Sequence, residues 1–184
     1  METQLQDVAA DADWRKLPID PALSVLVDLV EIHQRSGPIV DVTCGTGRVH
    51  EALMRRLVLR AVGYVGIDTS AEAVGRARER YPGVDFRVAS GGVLPFPSGE
   101  VGAVICAGGT GPFVSLAKLA AECVRVARGH VFLELPLRGL PGGSGFGDEE
   151  VVAAFTSAGG RVLDFLVVEG DVGDMGLVRA GVKP

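Results

Sequence analysis

The apolar residues of this chain follow two spacings, and the spacing changes repeatedly along the sequence. Residues 21–35 carry apolar side chains three or four positions apart, which predicts a helix with one buried stripe. The members of that stripe are Leu23, Leu26, Val27 and Val30. Short continuous apolar runs elsewhere predict buried strands, and glycine and proline separate them from the helices.

The predicted elements alternate between strand and helix. The strands are expected at 39–42, 64–68, 84–89, 101–106, 131–135, 162–168 and 176–182. Helices are expected between them at about 48–60, 69–81, 114–127 and 148–158. Such alternation predicts a parallel sheet with helices on both faces. The segment 169–175 is too short for a crossover helix, so the last strand should be antiparallel.

The expected fold is therefore α/β, a doubly wound and mostly parallel seven-stranded Rossmann-like sheet with an antiparallel last strand. We expect a single domain over 1–184, in which residues 1–20 form a flexible or flap segment. A hydrophobic content of 47% is enough for one full core.

Composition and charge narrow the partners. The net charge is −5 and no dense Lys/Arg block is present, which argues against a nucleic-acid groove. No apolar run has the length of a membrane span, and the N-terminus does not resemble a secretion signal. Three cysteines without paired spacing argue against disulfides or a zinc site. We therefore expect no nucleic acid, membrane or metal partner, and a cytoplasmic location.

The stretch IVDVTCGTGRV at 39–49 predicts a strand, a tight turn and the start of a helix. Ligands of open α/β sheets bind where strands end, and Gly45 and Gly47 would let the backbone approach one closely. A dinucleotide-binding turn typically has a third glycine at the position that His50 occupies here. A nucleoside with a smaller, zwitterionic tail fits better, and Asp41 would anchor the turn or a cationic amine.

Asp68 ends the second predicted strand, 21 residues after Gly47. A carboxylate in this place accepts hydrogen bonds from both ribose hydroxyls. The alternative is that Asp68 caps the next helix. Because Thr69 begins a T-x-x-E capping box, we expect Thr69 to cap and Asp68 to bind ribose.

Four motifs in this order resemble the class I S-adenosylmethionine-dependent methyltransferases. They are DVTCGTGRV at 41–49, VGIDTS at 65–70, LPFP at 94–97 and RVARGHVFLELP at 125–136. The resemblance covers roughly 20–182 and implies S-adenosylmethionine as the cofactor. It places the methionine part among Thr43, Cys44, Gly45 and Gly47. It places the ribose on Asp68, the adenosine beside Thr69 and along Ala89, Ser90 and Gly91, and the sulfonium near the backbone of Cys106 and Ala107.

Three positions depart from the family pattern. Ser90 stands where an acidic residue is frequent, Val101-Gly102 replaces an aromatic-acidic pair, and Thr43 replaces a glycine. Two functions follow from the resemblance. The first is in-line methyl transfer to a small-molecule acceptor. The second is a degenerate protein that binds S-adenosylmethionine or its demethylated product without methyl transfer, as a regulatory or partner subunit or in a non-methylating reaction. A nicotinamide-dependent oxidoreductase is a third hypothesis, disfavoured by His50.

Few candidate catalytic groups are expected. The cofactor supplies the electrophilic methyl group, so the protein mainly has to align that group with the acceptor. Glu134 lies in an apolar run near the end of the fifth strand, so it should have a partner or face a cavity. It is a substrate candidate, with a structural hydrogen bond as the alternative. Trp14 is a second, as part of a flap, and otherwise packs peripherally. His50 is expected on the helix surface. No catalytic residue is assigned. Few elements of the predicted fold face the substrate, which leaves open a homodimer whose second subunit completes the site.

Overall fold

The computed structural model describes residues 15–34, 36–56, 62–107, 115–137, 145–170 and 173–182. Its helices are α1 (Pro21–His33), α2 (Arg48–Arg55), α3 (Ala71–Arg80), α4 (Leu116–Val126) and α5 (Asp148–Ser157). Its strands are β1 (Ile39–Asp41), β2 (Tyr64–Asp68), β3 (Asp85–Val88), β4 (Val101–Cys106), β5 (Ala127–Pro136), β6 (Gly160–Gly170) and β7 (Gly173–Val182).

The seven strands form one sheet in the order β3-β2-β1-β4-β5-β7-β6. The first five strands pair in parallel, whereas β7 is antiparallel to both β5 and β6. The strand order reverses between β1 and β4, which makes their carboxyl ends the switch point where ligands of such sheets bind. The predicted fold class is confirmed, including its antiparallel last strand.

Two layers of helices cover the sheet. One face packs α1 and α2 against Phe132 and Leu177, while the other packs α4 and α5 against Val131 and Leu133. Every residue of β4 is buried, because this central strand has a helix layer on each side. The predicted stripe of α1 is buried as expected.

The ends of several elements differ from the sequence prediction. The β6–β7 hairpin extends to Gly170 and Gly173, well beyond the apolar runs that predicted it. Strand β5 begins at Ala127, directly after α4, instead of at 131. The ends of a strand depend on backbone hydrogen bonds to its neighbours, and the pattern of apolar side chains does not predict those bonds.

Two sequence predictions fall wholly or partly outside the described residues. Trp14 lies outside them, and the flap segment is described only from Arg15 onward. Among the described helices, none is long and apolar enough to cross a membrane.

Candidate functional site at the carboxyl edge of the sheet

The turn between β1 and α2 lies at the switch point and is tied to the strands on both sides. The N–H of Val42 donates to the carbonyl of Ile105 in β4, and the N–H of Cys44 donates to the carbonyl of Ile67 in β2, both at 2.9 Å. The turn thus continues the hydrogen bonding of the sheet beyond the end of β1. Its position is set by three strands and not by its own sequence alone.

The two glycines of this turn have left-handed backbone conformations but different surroundings. Gly45 has φ +50° and Gly47 has φ +97°. A Cβ on Gly45 would have no atom within 4 Å, whereas a Cβ on Gly47 would lie 2.5 Å from Cε2 of Tyr81. Open space for a ligand therefore lies at Gly45. The space beside Gly47 is filled by Tyr81, so the expectation that both glycines admit a ligand does not extend to it.

Asp68 lies where β2 ends and joins this strand to the glycine turn. Its Oδ2 accepts the N–H of Gly45 and its Oδ1 accepts the N–H of Ser70, both at 2.9 Å. Ser70 is the N-cap of α3, since its hydroxyl accepts the N–H of Ala73. The prediction that Thr69 caps this helix is wrong by one residue, because Ser70 has the extended backbone that a cap requires. Thr69 is instead exposed at the edge.

Thr43 ties the glycine turn to the end of β4. Its hydroxyl accepts the N–H of Ala107 at 3.1 Å and lies 3.0 Å from the carbonyl oxygen of the same residue, to which it donates. The hydroxyl is also 3.6 Å from the sulfur of Cys106. One side chain thereby holds both backbone polar groups of Ala107. A glycine at this position would leave them without this partner.

The segment after β3 lies beside Asp68. The N–H of Ala89 donates to the backbone carbonyl of Asp68 at 3.0 Å. Ser90 is exposed, and its hydroxyl accepts the N–H of Gly92 at 3.1 Å. The predicted adenine-binding residues Ala89, Ser90 and Gly91 thus follow β3 at the same sheet edge as the predicted ribose acid.

Asp41 is fully buried at the end of β1 and accepts hydrogen bonds from the glycine turn and from β2. Its Oδ1 accepts the N–H of Thr43 at 3.2 Å, and its Oδ2 accepts the hydroxyl of Tyr64 at 2.8 Å. Burial raises the pKa of Asp41 to about 7, although both hydrogen bonds oppose the rise. Of the two roles that the sequence left open for Asp41, the structure shows the anchoring of the turn.

His50 is buried, not on the helix surface as expected from its place in α2. Its ring lies 4.6 Å from that of Tyr81 and 5.0 Å from that of Tyr64, centroid to centroid. Burial lowers the pKa of His50, so the ring is neutral inside this cluster at pH 7. Within the described residues its Nδ1 has no hydrogen-bond partner. His50 therefore fills the space where a dinucleotide turn has its third glycine.

The two cysteines at this edge are packing residues. Both side chains are buried and unpaired. Burial raises the pKa of the Cys106 thiol to about 12 and also raises the pKa of the Cys44 thiol. Both thiols are therefore protonated at neutral pH and are poor nucleophiles.

A charged cluster that the sequence did not predict lies at the end of β5. Arg48, in the first turn of α2, bridges the carboxylates of Asp20 and Glu134. Asp20 also caps α1, because its Oδ1 accepts the N–H of Leu23 at 3.0 Å. Glu134 is 4% exposed, and burial raises its pKa against the opposing effect of Arg48. The one sequence feature that could have indicated this cluster is Arg48. A cation is unfavourable at the N-terminus of a helix unless acidic residues lie close to it.

The predicted site residues thus come together at one edge, apart from Trp14, which lies outside the described residues. Hydrogen bonds join Thr43 to Asp41 and to Ala107, and a separate hydrogen bond joins Gly45 to Asp68. In the described part of the chain, no group of three or more acidic, histidine or cysteine side chains is arranged to hold a metal ion.

Comparison with known proteins identifies the kind of domain to which this sheet belongs. Residues 39–129 match a family described as a methyltransferase domain. This stretch runs from β1 into β5 and includes the glycine turn, Asp68, Ser90 and Ala107. This match confirms the predicted resemblance to the class I S-adenosylmethionine-dependent methyltransferases. Methyl transfer is the chemistry of this enzyme class, and S-adenosylmethionine is its cofactor.

Solved structures share the fold of this methyltransferase. Magnesium protoporphyrin IX methyltransferase from Synechocystis PCC 6803, crystallised with S-adenosylmethionine, has a TM-score of 0.68 at 14% identity over 99% of this chain and 97% of its own. Geranyl diphosphate methyltransferase has 0.68 at 17% identity over 86% and 76%. The [4+2]-cyclase SpnF has 0.67 at 17% identity over 86% and 81%. At these identities the likeness establishes the fold alone, and no curated protein sequence matches the chain significantly.

Proposed function

We propose that this methyltransferase transfers the methyl group of S-adenosylmethionine to a small-molecule acceptor by in-line displacement, with the cofactor lying between Gly45 and Asp68. One observation carries this placement. Each carboxylate oxygen of Asp68 accepts one backbone N–H, from Gly45 or from Ser70. Because a carboxylate has about four acceptor positions, capacity remains for two ribose hydroxyls. The space beside Gly45 is open to receive them.

The rest of the cofactor follows from the positions of the other residues. The methionine part would lie along Thr43, Cys44 and Gly45, with Gly47 shaping the turn against Tyr81, and the adenine would lie along Thr69, Ala89, Ser90 and Gly91. The sulfonium would lie near Cys106 and Ala107. The hydrogen bonds of Thr43 to Ala107 hold these two ends of the path in a fixed relation. Asp41 would act through the turn, since it is fully buried.

A small acceptor is supported by what surrounds this edge. The described helices and strands are those of the sheet and its two covering layers, with no added subdomain among them. The net charge of −5 disfavours nucleic acid as the methyl acceptor. Two methyltransferases of this fold are named for small molecules, a porphyrin and a prenyl diphosphate.

The substitution Asp68→Asn tests the placement. It keeps the size of the side chain but removes the charge that strengthens hydrogen bonds to the ribose. We expect S-adenosylmethionine affinity, measured by calorimetry, to fall about tenfold to a hundredfold. Asp148→Asn, an exposed change at the start of α5, is the matched control and should leave affinity unchanged. Equal affinity of the Asp68 variant and the wild type would refute the ribose role.

The degenerate, non-methylating protein is the second candidate. Ser90 supports it, because an exposed hydroxyl already bonded to Gly92 is a weaker adenine acceptor than a carboxylate. A protein of this fold is named a [4+2]-cyclase. Gly102, however, no longer supports it. Gly102 lies at the amino end of β4, where a Cβ would come 2.1 Å from the carbonyl oxygen of Ser36, so packing explains its identity. Tight S-adenosylmethionine binding without methyl release over a metabolite panel would favour this candidate.

We further propose that the chain acts as a single domain in the cytoplasm. All three of its cysteines are buried and unpaired, which suits a reducing compartment. A homodimer is consistent with the few substrate-facing elements, and light scattering on the purified protein would measure the number of subunits.

A further inference from the structure

Glu134 carries a carboxylate oxygen that is buried without a partner. Its Oε1 lies 3.4 Å from both Nη1 and Nη2 of Arg48. Its Oε2 has no hydrogen-bond partner among the described residues, although the side chain is only 5% exposed. Burial of an unpaired carboxylate oxygen is costly, so such an atom needs an explanation.

Among the described residues, the ion pairs of Glu134 leave one of its carboxylate oxygens without a donor. Arg48 is the cation of the cluster, and it faces two carboxylates, those of Asp20 and Glu134. Its contact with Asp20 is close, whereas 3.4 Å to Glu134 is long for a charge-assisted hydrogen bond, which is about 2.8 Å when well made. Arg48 is therefore committed mainly to Asp20. The cluster has room for one more hydrogen-bond donor, and that donor would bind Glu134.

The place of Glu134 in the sheet connects it to the methyl-transfer site. Cys106 of β4 pairs with Leu133 of β5, so the next residues, Ala107 and Glu134, lie side by side. Neighbouring strands are about 4.8 Å apart. Ala107 and Phe132 pack on the same face of the sheet, and side-chain alternation puts Glu134 on that face too. Ala107 is also the residue that Thr43 fixes beside the glycine turn.

We infer that Glu134 binds the acceptor through its nucleophilic O–H or N–H group and takes the proton during transfer. This role rests on the proposed function. The oxygen or nitrogen lone pair forms a bond to the methyl carbon, and the carbon–sulfur bond breaks with its electrons passing to sulfur. The proton of the nucleophile moves to Oε2 of Glu134, and bulk water later removes it. The products are a methylated acceptor and S-adenosylhomocysteine. Glu134 thus specifies an alcohol, phenol or amine as acceptor, not a carbon or sulfur nucleophile.

The conservative variant Glu134→Gln tests this role. It keeps an oxygen for Arg48 but cannot take a proton. The exposed Glu149→Gln is the control. Each protein is incubated with S-adenosylmethionine labelled with deuterium in the methyl group and with a pooled small-molecule extract, and labelled products are identified by mass spectrometry. Calorimetry with S-adenosylmethionine and thermal melting are measured on the same samples.

We expect the wild type and Glu149→Gln to form the same O- or N-methylated product. Glu134→Gln should form it about a hundredfold more slowly, the usual contribution of a general base. It should bind S-adenosylmethionine within twofold of the wild type and melt at the same or a higher temperature, because a buried unpaired charge is gone. The rate of the wild type should rise with pH as Glu134, flanked by Arg48 and Asp20, ionises, and that rise should be absent from the variant.

The contrary results separate the two proposals. A C- or S-methylated product, an unchanged rate in Glu134→Gln, or a clear drop in its melting temperature would assign Glu134 a structural role and leave the proposed function intact. No labelled product from the wild type, despite tight cofactor binding, would refute the proposed function and this role with it.

Discussion

The two glycines of the first turn offer a test in which one residue type at two positions should fail in different ways. Gly45 and Gly47 both have positive φ, so alanine is strained at either position. A Cβ at Gly45 enters open space, where we propose that the cofactor lies, and a Cβ at Gly47 meets the ring of Tyr81 at 2.5 Å. Gly45→Ala should therefore impair ligand binding, and Gly47→Ala should impair folding.

The sizes of these effects follow from the geometry. The left-handed conformation costs a residue with a Cβ about 1 to 2 kcal/mol. Gly45→Ala should lose this amount of unfolding free energy and no more. Gly47→Ala should lose about 1 to 3 kcal/mol in addition, because the Tyr81 ring is packed against His50 and must move to make room. In the binding assay the ranking of the two variants is reversed, and Gly45→Ala is the more impaired. We expect it to lose about tenfold in S-adenosylmethionine affinity.

Urea unfolding measures the loss of unfolding free energy in each variant, and calorimetry measures the loss of S-adenosylmethionine affinity. A double-mutant cycle makes the stability comparison specific to the clash. In a Tyr81→Leu background the ring is gone, so Gly47→Ala should then cost about the same as Gly45→Ala. Two results would refute the reasoning. One is a single variant that is worse in both assays, and the other is a cost of Gly47→Ala that Tyr81→Leu does not reduce.

Two further predictions concern the residues that hold the turn. Burial raises the pKa of Asp41 from 3.8 to about 7, so its contribution to stability is fully present below about pH 4 and is lost as the pH rises through 7. Asp41→Asn should match the wild type at pH 4 and exceed its unfolding free energy at pH 8 by on the order of 4 kcal/mol, measured by urea unfolding across pH; equal stability at both pH values would contradict this. Thr43→Val should lose about 1 to 2 kcal/mol by leaving the N–H and carbonyl of Ala107 without their side-chain partner. Thr43→Ser, which keeps the hydroxyl, is its control, and similar losses in both variants would assign the effect to packing.

The sequence was sufficient for the local features of this enzyme. The stripe of α1, the strand–turn–helix around Gly45 and the acid that ends β2 follow from spacing and residue type within short windows. These features depend on backbone geometry over a few residues, which local sequence reports directly. Even at this scale Ser70 replaced Thr69 as the helix cap, because the choice between adjacent capping residues depends on which has the extended backbone conformation.

Contacts between distant parts of the chain were decided by the tertiary structure. Arg48 meets Glu134 across 86 positions, and Asp41 meets Tyr64 across 23. Tyr81 explains the identity of Gly47, and the same cluster buries His50. Periodicity tells which side of an element faces the core, but the register of the sheet sets which residues of other elements it meets there. For this methyltransferase, local sequence predicted the glycine turn and the acid that we propose as the cofactor site, and strand register decided that the buried Glu134 lies beside Ala107.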